Sequence, residues 1–423
     1  MLRAHRACVA SAVALFGTAL LAAGCGSEPA DDAEGQLLVA APDAPDAIEV
    51  GPGEPVVVGV STALTGPVGE RGTEYRDAVI LGVLRWQEAN GEDILGHPIE
   101  VYSEDDGCTE ADHTVVAARR LVGVPGLVGV IGPQCSSGAS AVLPAYADAG
   151  VVTISGSATA TALTAAQRPD GYFFRTAFRN DLQGSVVADF VVETLKADAV
   201  VLVDNGETYG RDLAASAEGF LAQAGVTVTR ASAPQGTIDF RELAARIARS
   251  PPDAVGYAGF NPDAALFYRQ LRDAGYDGAF GSFDAAASRS EFVLPLGEIA
   301  EGVLFAGCAI PLPEDLRRRF AEIHGSSAAA AFVGQYADAV RALLDAVART
   351  ARRGADGSLT IDRQGLRDAV RATAIEDGLT GAIRFDARGD RTSRRTDPSD
   401  RAADLGLSGC RVEDSELVAI QGD

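Results

Sequence analysis

The chain has 423 residues, 47% of them hydrophobic, and a formal net charge of −23. That length allows two sizeable domains. So acidic a balance counts against nucleic acid as a partner, because phosphate binding runs on clustered Lys and Arg.

Arg3, His5 and Arg6 precede an apolar run, Val9 to Leu21, which closes in Leu21-Ala-Ala-Gly-Cys25. A basic start, an apolar stretch and small residues before Cys read as a secretory signal with a bacterial lipobox. Residues 1–24 are therefore expected to be a lipoprotein signal peptide and Cys25 the lipidated N-terminus; losing Arg3 and Arg6 takes the charge from −23 to −25. Residues 25–54, rich in Ala, Asp, Glu, Pro and Gly, read as a flexible tether. No later stretch offers roughly 18 uninterrupted apolar residues, so no membrane span is expected.

Val56–Val60 is the first expected buried strand, and Ser61–Pro67 a loop of turn formers and hydroxyls. Tyr75, Ala78, Val79, Gly82, Val83 and Trp86 then keep helical spacing. Strand Ile99–Tyr102, a helix over Glu110–Val122 and strand Leu127–Ile131 lead to Gly132-Pro-Gln-Cys-Ser-Ser137, where a helix begins. The next strand, Val151–Ile154, ends in Ser155-Gly-Ser-Ala-Thr159. This is strand–helix alternation of a doubly wound sheet, with both polar loops at the strands' carboxyl ends, where such sheets bind ligands. Hydroxyls and free N–H groups at a helix start suit an anion.

The pattern restarts after Phe178: helices Gln183–Leu195, Arg211–Ala224, Phe240–Arg249 and Ala264–Ala274 alternate with strands Ala199–Val203, Val226–Arg230, Ala254–Ala258 and Phe280–Asp284. From Gly302–Ala306 the chain is expected to return to the first lobe, with helices at Glu314–His324 and Gln335–Arg352, a strand at Gly381–Phe385, a polar loop over 391–404 and a closing strand Glu416–Ile420.

With Cys8 and Cys25 set aside, Cys108, Cys135, Cys308 and Cys410 remain, an even number in an exported chain. Cys108 and Cys135, each just after an expected strand, are paired, and Cys308 with Cys410. Metal binding is the rival reading, but no CxxC or HExxH spacing supports it.

Leu64-Thr-Gly-Pro67, Glu104-Asp-Asp-Gly-Cys108, Gly132–Ser137, Ser155–Thr159, Phe174-Arg-Thr176, Asn180–Gly184, Tyr209-Gly210, Asp239-Phe240, Gly302-Val303 and Gly381–Asp390 are informative together. Their order and spacing resemble the branched-chain amino-acid binding proteins of ABC importers, over about residues 55–390. The resemblance implies the type I periplasmic binding fold: an α/β chain of two doubly wound, Rossmann-like lobes joined by three crossover strands, with the ligand clamped between them. Lobe 1 is then expected over 55–176 plus 307–381 and lobe 2 over 177–306 plus 382–423, with crossovers at 174–178, 302–308 and 381–386. It also implies the disulfide between Cys108 and Cys135.

Site residues follow one at a time from the resemblance. Ser136 is expected to bind a ligand carboxylate, while the Ser157 carbonyl takes its ammonium and Thr159 helps hold the zwitterion. Tyr209 and Phe260 supply the aromatic cover of the second lobe, and Asp284 pairs with the ammonium. Arg71 departs from the pattern, standing where relatives often carry an aromatic side chain. Either it meets an acidic or polar ligand group, or it points to solvent or pairs with Glu70 or Glu74.

The expected role is an extracytoplasmic lipoprotein that captures an amino acid or similar amphoteric solute and passes it to an ABC permease, as a monomer without cofactor or metal. The alternative is a sensory module of the same fold. An enzyme is disfavoured: the chain lacks GxSxG, a P-loop and a GxGxxG after its first strand, and none of His97, His113 and His324 falls in an expected cleft loop.

Overall fold

The computed structural model describes residues 46–165, 171–261, 263–326, 331–394, 402, 404, 405, 407 and 409–420. The signal segment and Cys25 lie outside the described residues. The tether ends sooner than residue 54. Ala47–Val50 (β1) buries Ile48 and Val50 and pairs antiparallel with Leu359–Asp362. Its Ala-Ile-Glu-Val alternation is a half-buried strand pattern set in a Pro- and Gly-rich stretch.

Val56–Thr62 (β2) is buried at every residue, as a parallel strand covered on both faces must be. Gly69–Asn90 (α1) follows and buries Tyr75, Ala78, Val79, Gly82, Val83 and Trp86 as one stripe. Next come Asp93–Ile94 (β3), His97–Asp105 (β4), Ala111–Val122 (α2), Leu127–Ile131 (β5), Ser136–Asp148 (α3), Thr153–Ser155 (β6), Ala162–Ala165 (α4) and Phe173–Arg175 (β7). The first sheet runs β3-β4-β2-β5-β6-β7 and is parallel except at β3.

Past Arg175 the chain crosses to a second sheet. Asn180–Asp189 (α5) continues as a π-helix over Phe190–Leu195. Then come Ala199–Asp204 (β8), Thr208–Gln223 (α6), Thr227–Ser232 (β9), Arg241–Arg249 (α7), Ala254–Ala258 (β10), Asp263–Asp273 (α8), Ala279–Phe283 (β11), Leu294–Leu296 (α9) and Leu304–Ala306 (β12). A return to the first lobe brings Glu314–His324 (α10), Val333–Thr350 (α11), Arg352–Arg353 (β13), Leu359–Asp362 (β14), Arg363–Arg371 (α12), Ala374–Gly378 (β15) and Gly381–Arg384 (β16). Gly409–Glu413 (β17) and Glu416–Ala419 (β18) finish the second sheet, which runs β18-β17-β12-β11-β10-β8-β9.

Counted along the chain, the parallel strands of both sheets follow the order 2-1-3-4-5. Each sheet therefore has a switch point beside its first strand, the position that receives ligands in open α/β sheets. The architecture is the expected one of two doubly wound lobes, but the third crossing is not at 381–386. There β16 pairs with β15, Ile383 is fully buried in the first core, and Phe385 packs on Phe174 with ring centroids 5.2 Å apart. Ala402, Leu405 and Leu407 join the same core while Gly409 already pairs in the second sheet, so the described residues from Ala382 to Leu407 go with lobe 1 rather than lobe 2. The expected polar loop at 391–404 hides Arg391, which is 5% exposed and donates to the carbonyls of Thr176, Thr380 and Asp404. A disulfide joins Cys308, just after β12, to Cys410 in β17, tying the second crossing to the third.

Candidate functional site

The first wall is set by one buried carboxyl. Asp106, just past β4, accepts from the Cys108 N–H at 2.9 Å, the Ser61 hydroxyl at 3.0 Å and the Gln134 N–H at 3.3 Å. It thus ties the end of β2 to the loops that follow β4 and β5. Burial pushes its pKa up to about 6, against these three hydrogen bonds. The Cys108–Cys135 disulfide closes the same junction, with 5.0 Å between the Cα atoms. Gly132 adopts a φ of 130°, and any Cβ there would run into the Ser61 carbonyl. The chain emerges from this knot at Ser136, the first residue of α3, whose Oγ accepts the Ala160 N–H at 3.1 Å.

The loop after β6 is held as tightly. Ser155 donates to Pro133 O at 2.7 Å and accepts from the Ala158 N–H at 2.9 Å. Ser157 Oγ donates to Gln134 O at 2.7 Å and lies 2.9 Å from the Tyr336 hydroxyl. Beneath it is Arg175, fully buried, which donates to the carbonyls of Ala158 at 3.0 Å and Ala160 at 2.8 Å and pairs with Asp390 at 2.6 Å. Burial lowers the Arg175 pKa, and Asp390 opposes that shift.

The second lobe supplies the facing wall from the ends of β8, β10 and β11. Tyr209 lies in the first turn of α6, and its hydroxyl donates to Asp284 Oδ1 at 2.9 Å. Its ring stacks on Phe260 at 5.4 Å. Asp284 is 2% exposed; burial raises its carboxyl to about 6, while hydrogen bonds from Gln183 and Tyr209 and the charge of Arg71 pull the other way.

Between these walls lies a cavity of about 30 Å³. Arg71, Ser136, Ser157, Tyr209, Phe260 and Asp284 all line it, so six of the expected site residues meet at one place. Thr159 does not line it: the residue is fully buried, and its Oγ1 has no hydrogen-bond partner among the described residues.

Arg71 does not point to solvent, being 7% exposed. It sits in the first turn of α1, where the helix dipole disfavours a cation. Its guanidinium crosses to the other lobe, 3.3 Å from Asp284 O, 3.5 Å from Ala287 O and 3.9 Å from the Glu291 carboxylate. Burial opposes its charge, yet Tyr75, Glu291 and Glu74 together hold its pKa above the ordinary arginine value. Glu74, one turn on, is raised to about 7 by burial and faces His324 at 3.9 Å.

Sequence reasoning missed several members of the site. Helical spacing puts Tyr75 on a core stripe, yet it also lines the cavity and stacks on Tyr336 at 4.4 Å. Glu291, Asn261, Gln134 and Phe332 also line it. Asn261 Nδ2 donates to Glu291 at 3.3 Å, and Asn261 Oδ1 has no partner among the described residues. Asn261 stood beside the quoted Phe260 and could have been found by position; Glu291, in a π-turn with no motif of its own, could not. The histidines sit elsewhere: His97 lies between the carbonyls of Glu54 and Gly357, His324 pairs with Asp77, and His113 with Glu110.

The family model described as periplasmic binding protein matches residues 55–396. An amino acid binding protein of Pseudomonas aeruginosa PAO1 is 31% identical over 259 residues, which is 60% of this chain and 68% of that protein. The Leu/Ile/Val-binding protein of Escherichia coli K12 is 30% identical over 252 residues, 59% of this chain and 67% of its own length. Among solved structures, a leucine binding protein, LivK, from Thermotoga maritima MSB8 has a TM-score of 0.72 at 24% identity, covering 86% of this chain and 98% of that one.

Proposed function

This chain belongs to the periplasmic binding protein family, and from that premise we propose that it captures an amino acid or similar small amphoteric solute between its lobes and delivers it to an ABC importer. The family's members compared above are binding proteins, not enzymes. The observation that carries the reading is the convergence of Ser136 with Asp284 and Tyr209 on one cavity from opposite lobes. A carboxylate at Ser136 meets the hydroxyl hydrogen and the N–H groups of the α3 start, which favour negative charge. An ammonium at Asp284 meets a carboxylate already oriented by Tyr209. Both ligand charges are then paired, as burial requires. Ser157 completes the zwitterion site, Thr159 lies buried behind it, and Phe260 with Tyr209 gives an apolar cover.

The cavity is closed in from both lobes, by Arg71, Tyr75 and Ser136 on one side and Tyr209, Phe260 and Asp284 on the other. An amino acid therefore enters by a parting of the lobes about the three crossings, a hinge motion of the kind such folds use. Cys25 anchors the protein by lipid on the outer face of the cell membrane, and the protein acts as a monomer. Thermal-shift screening of the mature protein against the amino acids tests this reading: a rise in Tm with at least one of them supports it, and no rise with any contradicts it.

A further inference from the structure

The ion pair inside the cleft restricts what the ligand's side chain can be, given the zwitterion reading above. Each charge in the cavity then has one partner of opposite sign. The ligand ammonium has Asp284, the ligand carboxylate has Ser136 and the start of α3, and Arg71 has Glu291. Glu74, which stands between Arg71 and His324, does not line the cavity, and Glu70 on the same helix is exposed. A second acid on the ligand would set a further carboxylate beside Glu291 and Asp284, and a second cation would set one beside Arg71. Either leaves a buried charge without a counter-ion.

An aliphatic side chain fits no better. Besides its hydrogen bond with Tyr75, the three contacts Arg71 makes across the cleft are long, at 3.3, 3.5 and 3.9 Å, so its five N–H groups still offer hydrogen bonds to a better acceptor. Asn261 Oδ1, 98% buried and unpartnered among the described residues, offers an acceptor to a donor. A hydrocarbon answers neither, and a site whose buried polar groups are left unpaired rejects the analogue that lacks the matching group. We infer that the side chain recognised is uncharged and carries both an acceptor and a donor, as a terminal carboxamide does: its oxygen accepts from Arg71 and its N–H groups donate to Asn261 Oδ1 and Glu291.

Isothermal titration of the mature protein with L-glutamine, L-asparagine, L-glutamate, L-lysine and L-leucine decides this. One of the two carboxamides is expected to bind at least about tenfold tighter than each of the other three. Glu291→Gln removes the counter-ion of Arg71, so glutamate should gain at least about tenfold relative to glutamine in that variant. Leucine, lysine or glutamate matching the better carboxamide on the wild type overturns the inference while leaving the amino-acid reading intact. Binding of none of the five, with a thermal shift from another amino acid, overturns the inference alone; no response to any amino acid removes both. Should the variant fail to fold, the wild-type series decides by itself.

Discussion

The Tyr209 hydroxyl donates to Asp284 Oδ1 at 2.9 Å within the second lobe, in a site where the carboxylate is 2% exposed. Burial holds that carboxyl at about 6 against an ordinary 3.8, despite help from Gln183, Tyr209 and Arg71. The protonated form is thus favoured by folding. Its contribution to stability is complete below pH 3.8 and is lost as pH rises through about 6. Asp284→Asn cannot ionise, so at pH 7 it should be more stable than wild type by about 3 kcal/mol at most, with the gain vanishing near pH 4. Urea denaturation of both proteins between pH 4 and 7 measures the difference, and the same variant should bind no amino acid.

Ligand affinity should carry the same titration. With Asp284 facing the ammonium, affinity falls as pH drops through about 6, approaching a tenfold loss per unit below it. Calorimetric titrations at pH 4.5, 5.5, 6.5 and 7.5 give the profile. A flat profile would place the ammonium elsewhere.

The Cys108–Cys135 bridge closes a separation of 27 residues beside the start of α3. The double variant Cys108→Ser, Cys135→Ser should lose about 3–4 kcal/mol of stability on the loop-entropy estimate. Its affinity should fall as well, because Asp106 and the disulfide jointly place Ser136. Denaturation and titration of the same preparation separate the two effects.

Asp390 is the counter-charge to two arginines, at 2.6 Å from Arg175 and 3.1 Å from Arg179. Asp390→Ala leaves Arg175 buried without its ion-pair partner, at a cost of about 3–5 kcal/mol. Arg175 also holds the carbonyls on either side of Thr159. Residual folded protein should therefore bind ligand more weakly, as thermal unfolding with and without ligand would show.

Gly72 packs the first turn of α1 so closely on the loop after β2 that an added Cβ would strike the Ala63 carbonyl. Gly72→Ala should push α1 outward, carrying Arg71 away from Glu291, and lower Tm by several degrees. Overpacking of this kind costs about 1–3 kcal/mol.

The fold was legible because its pattern is local. Runs such as Val56–Val60 and the stripe from Tyr75 to Trp86 fix strand and helix by period alone. The cavity residues Ser136, Tyr209 and Asp284 were legible through the resemblance to branched-chain amino-acid binding proteins, and each follows a strand's carboxyl end. What stayed hidden depends on contacts distant in sequence. Ala47–Val50 is a strand only because Leu359–Asp362 lies beside it. Ile383 belongs to the first lobe only because a core made of residues from both ends of the chain receives it. Glu291 enters the site through Arg71, 220 residues earlier in the numbering, and no spacing rule links them.

Titration calorimetry with a tightly bound amino acid and with its N-acetyl and C-amide derivatives probes the two ends of the cleft most directly. The free amino acid should bind, while blocking the ammonium or the carboxylate should each abolish the heat, because Asp284 and Ser136 then face uncharged groups. Equal binding of either blocked form would contradict the placement of the zwitterion between Ser136 and Asp284.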